Sequence, residues 1–499
     1  MSVKKLAQGA FILTCANVVT RIIGFLYRIF MSNAIGSEGM GLYQLIMPVY
    51  MLAWSISSSG ITTAVSKLTA EENGKSKGNS EKTVFCALFI SLIISLFLSI
   101  SVFAFSDTIS SCLLKEPRTS SLLKILSLCF PFMACGSCIR GYFYGMQKHI
   151  YPAAAQVFEQ VIRIATVIML YPFFFSKGME YACAAAVTGI TTGEFCAFML
   201  TAVFLKSNKV HKKSSVNSYF SAAPVLLSVA MPLTLTKMSA SLLSAVENVL
   251  IPTRLKIYSS SVNSLALFGS LTGMTLPLIQ FPSSVLIAIS STLMPAISSA
   301  AASGRKNSVE KAVEKSLSFT SAMSFFAFGF FFVFSKEICQ IIYHRPELGN
   351  LLKKLAFLCP LIYTNITLNG ILNGIGKHTF IFLNSLAASF INITAIYFLI
   401  PQIGIEAYII SSAAGLVFSC TMGLKKCIDK NNILNVIFQN FILPLCCCIC
   451  GINICKFFYT ENFIINISIF GAVYFLLLVF SNAGGIGKDL IKIIKMRIH

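Results

Sequence analysis

Gly141-Tyr-Phe-Tyr-Gly-Met-Gln-Lys-His149 has a counterpart 229 residues further along the chain, Gly370-Ile-Leu-Asn-Gly-Ile-Gly-Lys-His378. The same offset lays Pro48 on Pro277, Pro117 on Pro346 and Pro131 on Pro360. It lays Lys77 on Lys306, Glu81-Lys82 on Glu310-Lys311, and Leu122-Leu-Lys124 on Leu351-Leu-Lys353. No gap is needed from Pro48 to His149. Coincidences of leucine or isoleucine are expected in an apolar chain. Matched prolines, and a G-x-x-x-G-x-x-K-H string held at one offset, mark an internal repeat.

The medium of that repeat follows from composition. The chain has 499 residues, 56% of them hydrophobic and 11% charged, with a mean hydropathy of +0.78. A soluble domain carries about 25% charged residues. Apolar stretches of about 20 residues recur, each long enough to cross a hydrocarbon core about 30 Å thick. Lipid offers backbone groups no hydrogen-bond partner, so the spans are helices; the short alternating strands of a barrel are not seen. The spacing predicts an all-α integral membrane protein of about fourteen helices, near 9–33, 40–66, 83–106, 121–146, 152–175, 182–206, 221–250, 265–300, 315–335, 351–374, 378–400, 406–424, 436–456 and 462–481. Lys4 and Lys5 before the first run resemble a signal peptide, but Arg21 and Arg28 inside the run and the lack of a small-residue cleavage site point to a retained helix.

The 229-residue offset covers six spans, so both copies run the same way through the membrane. Parallel repeats are related by a pseudo-two-fold axis along the membrane normal, with the substrate path between them. The expected organisation is a six-helix lobe over 1–220, a second over 221–430, and two further helices with a tail over 431–499. Two lobes around a cleft suit alternating access.

The net charge of +21 would ordinarily suggest nucleic acid. Its distribution argues otherwise. Alternate loops starting from the N-terminus hold about 23 lysines and arginines, and the opposite set holds about 8. Lys206-Ser-Asn-Lys-Val-His-Lys-Lys213 contrasts with the uncharged Pro401-Gln-Ile-Gly404. Both termini are expected in the cytoplasm, and no nucleic-acid partner is expected.

Charges inside the spans are candidates for function, because each costs roughly 2.5–3.5 kcal/mol on insertion scales unless it meets a cavity or a partner. Arg21 and Arg28 are seven residues apart, on one helix face, with Arg21 near mid-membrane and Arg28 nearer the outside. With no local acid they suggest a cavity for anions, and the guanidinium fork suits phosphate; pairing with acids of other helices is the alternative. Arg140 also falls in a span. Glu159 and Arg163 are four apart and form either a self-neutralising pair or part of a site. Glu194, Lys237 and Glu247 are further intramembrane charges, and Glu247 stands near Arg254. The substrate-binding candidates are therefore Arg21, Arg28, Arg163 and Arg254. Glu159, Glu194 and Glu247 are candidates for a coupling cation or proton.

Helix-breaking residues add Pro48, Pro277, Gly273 and Pro282 as hinge candidates. The glycine strings at Gly141 and Gly370 read as close-packing devices. Cys446, Cys447, Cys448 and Cys450 lack a histidine or acid, and read as small apolar filler rather than a metal site. No metal and no cofactor is expected. Trp54 is the single tryptophan, and no function attaches to it from sequence.

Thr20-Arg-Ile-Ile-Gly-Phe-Leu-Tyr-Arg28, Ile35-Gly-Ser-Glu-Gly-Met-Gly-Leu-Tyr43 and Gly141-Tyr-Phe-Tyr-Gly-Met-Gln-Lys148 resemble the polysaccharide exporters of the multidrug/oligosaccharidyl-lipid/polysaccharide flippase superfamily, a sporulation branch of it in particular. The resemblance covers essentially the whole chain. It implies a V-shaped two-lobe transporter in the bacterial cytoplasmic membrane with a part in spore cortex, hence peptidoglycan, assembly. Related lipid II flippases have two first-helix arginines flanking a Gly-Phe, as Arg21, Gly24, Phe25 and Arg28 do here; in those relatives they line the cavity and meet pyrophosphate. Their arginines in the second and eighth helices have no counterpart in 40–66 or 265–300.

The expected function is a flippase for a lipid-linked oligosaccharide, with membrane lipids as surroundings. The alternative is a cation-coupled multidrug exporter, which would want apolar walls and a titratable acid. A membrane-embedded glycosyltransferase would need an acid-bearing outer loop. The longest outer loops, Asp107 to Thr119 and Lys336 to Asn350, offer few acids and one histidine, His344. Topology is directly testable. In a cysteine-free background, an impermeant thiol reagent applied to intact cells should reach a cysteine placed at Gln402 and miss one at Asn208. Labelling of Asn208→Cys from outside would invert the orientation.

Overall fold

The computed structural model of the protein describes residues 3–73, 80–175, 177–208, 222–258, 263–303, 306–428 and 433–481. Lys77, residues 209–221 of the lysine-rich loop and the tail from 482 lie outside them. Every regular element among the described residues is helical. Eleven helices are long and apolar enough to cross a membrane, or twelve when the pair Pro117–Ser127 and Phe130–Gly145, bent by 46°, is taken as one span. The expected number was fourteen, and two places account for the difference. The expected first two spans lie in one apolar run, Ile12–Asn73, in which Gly36 takes φ 69° and ψ −174°. The expected eighth span is broken into Ser264–Gln280 and Ser283–Ala302.

The chain divides into two compact units, Met1–Gly273 and Met274–His499. In the first, the core joins Gly60–Asn73, Ser80–Ala104, Phe130–Gly145 and the start of Ala223–Tyr258 through Ala64, Val65, Ala87, Ile139, Phe143 and Leu226. Small residues let these backbones meet. A Cβ on Gly141 would stand 2.6 Å from Thr62 O, and one on Gly145 would stand 2.6 Å from Ser66 O. In the second unit, Ile297, Val313, Leu317, Leu368 and Leu424 form the core. The last two helices, Leu443–Phe457 and Phe463–Phe480, pack on Lys306–Val333. Phe470 stacks on Phe326 at 5.7 Å, and Tyr474 OH donates to Ala322 O at 3.0 Å.

The repeat is visible in local structure. Phe130–Gly145 and Cys359–Gly374 begin and end 229 residues apart. Three non-glycine residues among those described have positive φ: Lys115 (54°), Gln147 (57°) and His344 (54°). Lys115 and His344 are one offset apart. Gln147 is matched by Gly376 (φ 80°). A left-handed residue is an uncommon choice for a bulky side chain, so its recurrence in register is a structural signature of the duplication.

Pro48 is buried within Val3–Trp54. Gly273 lies in the π-helical run Gly269–Thr275, Pro277 is the second residue of the short helix Leu276–Gln280, and Pro282 sits in the break that follows. The close approach at Gly141 sets a stability prediction. Gly141→Leu should cost about 1–3 kcal/mol through overpacking, read as earlier thermal unfolding and faster alkylation of the fully buried Cys138. Gly24→Ala, with nothing within 4 Å of the added carbon, is the control. Equal unfolding of the two variants would refute the packing argument.

Candidate functional site

Two kinds of membrane-embedded cation occur in the first unit, and their surroundings differ. Arg140 and Arg163 belong to a buried polar cluster. Arg163 Nη2 donates to Glu159 Oε1 at 2.6 Å, one helical turn away. Arg140 approaches Glu159 Oε2 at 3.9 Å and donates to Ser137 Oγ at 2.9 Å. Glu159 thus bridges two guanidiniums from different helices. Tyr50 OH donates to Glu194 Oε1 at 2.7 Å, and Glu194 Oε2 is buried without a hydrogen-bond partner among the described residues. Glu159 is 9% exposed and Glu194 4%.

Glycines bring these groups together. A Cβ on Gly193 would lie 3.0 Å from Glu159 O, and one on Gly189 would lie 3.0 Å from Arg163 O. The Ile150–Phe175 and Met179–Ser207 helices therefore pack backbone to backbone, with Glu194 beside the Glu159–Arg163 pair. With both acids ionised the cluster holds two positive and two negative charges. Its open valence is the second oxygen of Glu194, which has room in its hydrogen-bonding capacity for a proton or a cation.

Arg21 and Arg28 are arranged otherwise. Both are on Val3–Trp54, Arg21 exposed and Arg28 half-buried. Among the described residues no carboxylate lies within ion-pair distance of either. Between them Tyr27 is buried, its hydroxyl without a partner among the described residues. Among the described residues Lys237, too, has no carboxylate within ion-pair distance. Glu247 and Arg254 are half-buried on Ala223–Tyr258.

Sequence reading found the Glu159–Arg163 spacing but not that Arg140, Glu194 and Tyr50 converge on it. It also missed an ion cluster next to the Ser106–Leu113 turn. Arg118 donates to Glu38 Oε1 at 2.8 Å and to Glu116 Oε1 at 2.7 Å, and Asn263 Nδ2 reaches Glu38 Oε2 at 3.2 Å. Beside it, the hydroxyl of Ser120 and then the ammonium of Lys124 hold the Asp107 carboxyl below its usual range. The four cysteines at 446–450 do not converge, since Cys446 and Cys450 are exposed while Cys447 and Cys448 are buried. No group of three His, Cys, Asp or Glu side chains is placed to hold a metal among the described residues.

The two acids of the cluster should respond differently to neutralisation. Glu159→Gln leaves two buried guanidiniums unpaired and should cost about 3–5 kcal/mol, seen as lost abundance in the membrane. Glu194→Gln keeps an acceptor for Tyr50 and should accumulate normally. Equal abundance of both variants would contradict the bridging role of Glu159.

The chain and its fold have relatives among known proteins. Stage V sporulation protein B of Bacillus subtilis (strain 168) is 28% identical over 426 residues, 84% of this chain and 82% of that protein. Lipid II flippase MurJ of the same organism is 24% identical over 219 residues, 41% of this chain and 40% of that protein. Among solved structures, lipid II flippase MurJ in an inward closed conformation superposes with a TM-score of 0.71, at 17% identity, covering 96% of this chain and 100% of that one. A multidrug resistance MATE family transporter of the MOP superfamily, inward-facing, gives a TM-score of 0.63 at 14% identity, covering 86% and 98%. The family model for polysaccharide biosynthesis proteins matches residues 6–301, more than half of the chain, and the protein belongs to that family of membrane proteins.

Proposed function

We propose that the protein is a flippase that moves a lipid-linked glycan, a peptidoglycan precursor for spore cortex assembly, across the bacterial cytoplasmic membrane by alternating access, with both termini in the cytoplasm. The observation that carries this reading is the arginine pair on the first helix, embedded in an apolar run and without a carboxylate partner among the described residues. A phosphate-bearing cargo supplies the missing anion while its lipid tail stays in the bilayer. The names of two relatives, a stage V sporulation protein and a lipid II flippase, support the same cargo class.

A second reading, cation-coupled export of drugs, is favoured by one observation, the unpartnered buried oxygen of Glu194. The readings meet if Glu194 couples transport to a proton or cation while the arginines select the cargo. Proteoliposomes containing lipid-linked disaccharide or a fluorescent cationic drug separate them. Arg28→Ala should abolish flipping of the disaccharide at normal abundance. Arg28→Lys should lower it about tenfold, because an ammonium does not reproduce the two-oxygen contact of the planar fork. Glu194→Gln should remove only the part that depends on an ion gradient. Drug transport by the wild type, with no movement of disaccharide, would replace the flippase reading by the exporter.

A further inference from the structure

Lys237 and Trp54 were unrelated in the sequence and are neighbours in the fold. The contact is built by close helix packing. A Cβ on Gly60 would stand 2.0 Å from Thr234 Oγ1 and 2.7 Å from Ala230 O, so Gly60–Asn73 and Ala223–Tyr258 touch backbone to backbone. One turn beyond Thr234, Lys237 Nζ lies 5.8 Å from the centroid of the Trp54 ring and donates to Ser59 O at 3.1 Å. Trp54 leads into Ser55–Ser59, a single π-helical turn whose serines 55, 57, 58 and 59 are all buried. Such turns interrupt α-helices frequently at functional sites.

Lys237 stands 14 residues from Ala223, the start of its helix, about 21 Å at 1.5 Å per residue. That depth is well inside a span, where an ammonium is costly unless it meets a cavity or an anion. An ammonium has three N–H donors. One is taken by Ser59 O, the indole face lies near, and no carboxylate of the described residues neutralises the charge. Trp54 is 36% exposed, and its indole N–H has no acceptor among the described residues. A helix clamp would need neither an uncompensated charge nor an exposed indole.

We propose that Lys237 and Trp54 form a second cargo subsite, for the phosphate-linked sugar end of a polyprenyl-pyrophosphate glycan. The ammonium takes a phosphate oxygen. The indole takes the adjoining sugar, with its N–H as donor to a hydroxyl and its ring against the apolar sugar face. This rests on the flippase reading above and extends it from the arginines to a different helix.

Trp54 is the only tryptophan in the chain, so tryptophan emission, excited selectively beyond the tyrosine absorption, reads this subsite alone. The full-length protein in lipid nanodiscs is titrated with polyprenyl-pyrophosphate disaccharide, polyprenyl pyrophosphate and polyprenol, and flipping of the disaccharide lipid is measured on the same preparation. Both pyrophosphate lipids should change the emission saturably, and polyprenol should not. Lys237→Met should weaken both titrations by about tenfold or more, the loss of one charge-assisted hydrogen bond, and Lys237→Arg should restore most of it. Emission unmoved by a disaccharide lipid that the protein does flip would overturn the subsite and leave the flippase reading standing. Failure of both binding and flipping would remove both. Lys237→Met with wild-type affinity but earlier thermal unfolding would make Lys237 a clamp and overturn the proposal. If Lys237→Met does not accumulate, the contrast between pyrophosphate lipid and polyprenol in the wild type and in Lys237→Arg decides: an equal response to both lipids overturns it.

Discussion

A hydrocarbon core offers a buried charge nothing, so each cation inside a span must be matched by the protein or by something the protein carries. Glu159 shows the first solution. One carboxylate holds Arg163 at 2.6 Å and stands 3.9 Å from Arg140, which ties two helices by their charges. Gly189 and Gly193 let the helices that carry Glu159 and Glu194 touch. That contact brings the second acid, Glu194, to the Glu159–Arg163 pair, which lies on a single helix. Replacing a glycine there would move Glu194 away and leave the Glu159–Arg163 pair in place.

Much of this was legible in the sequence, for a physical reason. Membrane helices announce themselves because apolar length is a local property. The duplication was legible because prolines and left-handed turns are fixed by backbone geometry, which repeats faithfully while side chains drift. Lys115 and His344 keep the same φ with unrelated side chains. The Glu159–Arg163 pair was legible because i, i+4 is a helical neighbour. Tyr50, Arg140 and Glu194 were not, since nothing in a one-dimensional pattern says which faces of different helices meet. The count of spans depends on where a helix is taken to stop. Hydropathy sees a gap near Gly36, whereas the chain turns through one residue of positive φ and continues helical. It sees one long span at 265–300, whereas Gly269–Thr275 widens into a π-helix and Pro282 follows a break.

The Lys237–Trp54 contact was illegible for a different reason. Its residues are separated by 183 positions, and the seam depends on a glycine, Gly60, that belongs to no recognisable string. Register by repeat would assign residues 223–258 to the second copy. By contact they lie with the first, against Gly60 and Ser59. Sequence duplication records how a chain arose. Packing records which surfaces were free to meet, and the two boundaries need not coincide.

The distribution of neutralised and open charge carries the functional argument furthest. Evolution of a purely structural membrane protein would be expected to treat all embedded cations alike, since each unpaired one destabilises the fold by several kcal/mol. Here Arg140 and Arg163 are paired, and Arg21, Arg28 and Lys237 have no acid among the described residues. The side chains of the paired arginines are 12% and 16% exposed; of the unpaired cations Arg21 is exposed, and Arg28 and Lys237 are half-buried as the paired arginines are. A cation left open to an accessible surface keeps its capacity to bind. A cation already satisfied by Glu159 would bind an incoming phosphate only by exchanging one anion for another, with little net gain. On the proposed flippase reading, an anionic cargo is bound by the cations that the protein leaves unpaired, while close helix contacts at Gly60, Gly141, Gly145, Gly189 and Gly193 hold the surrounding helices together.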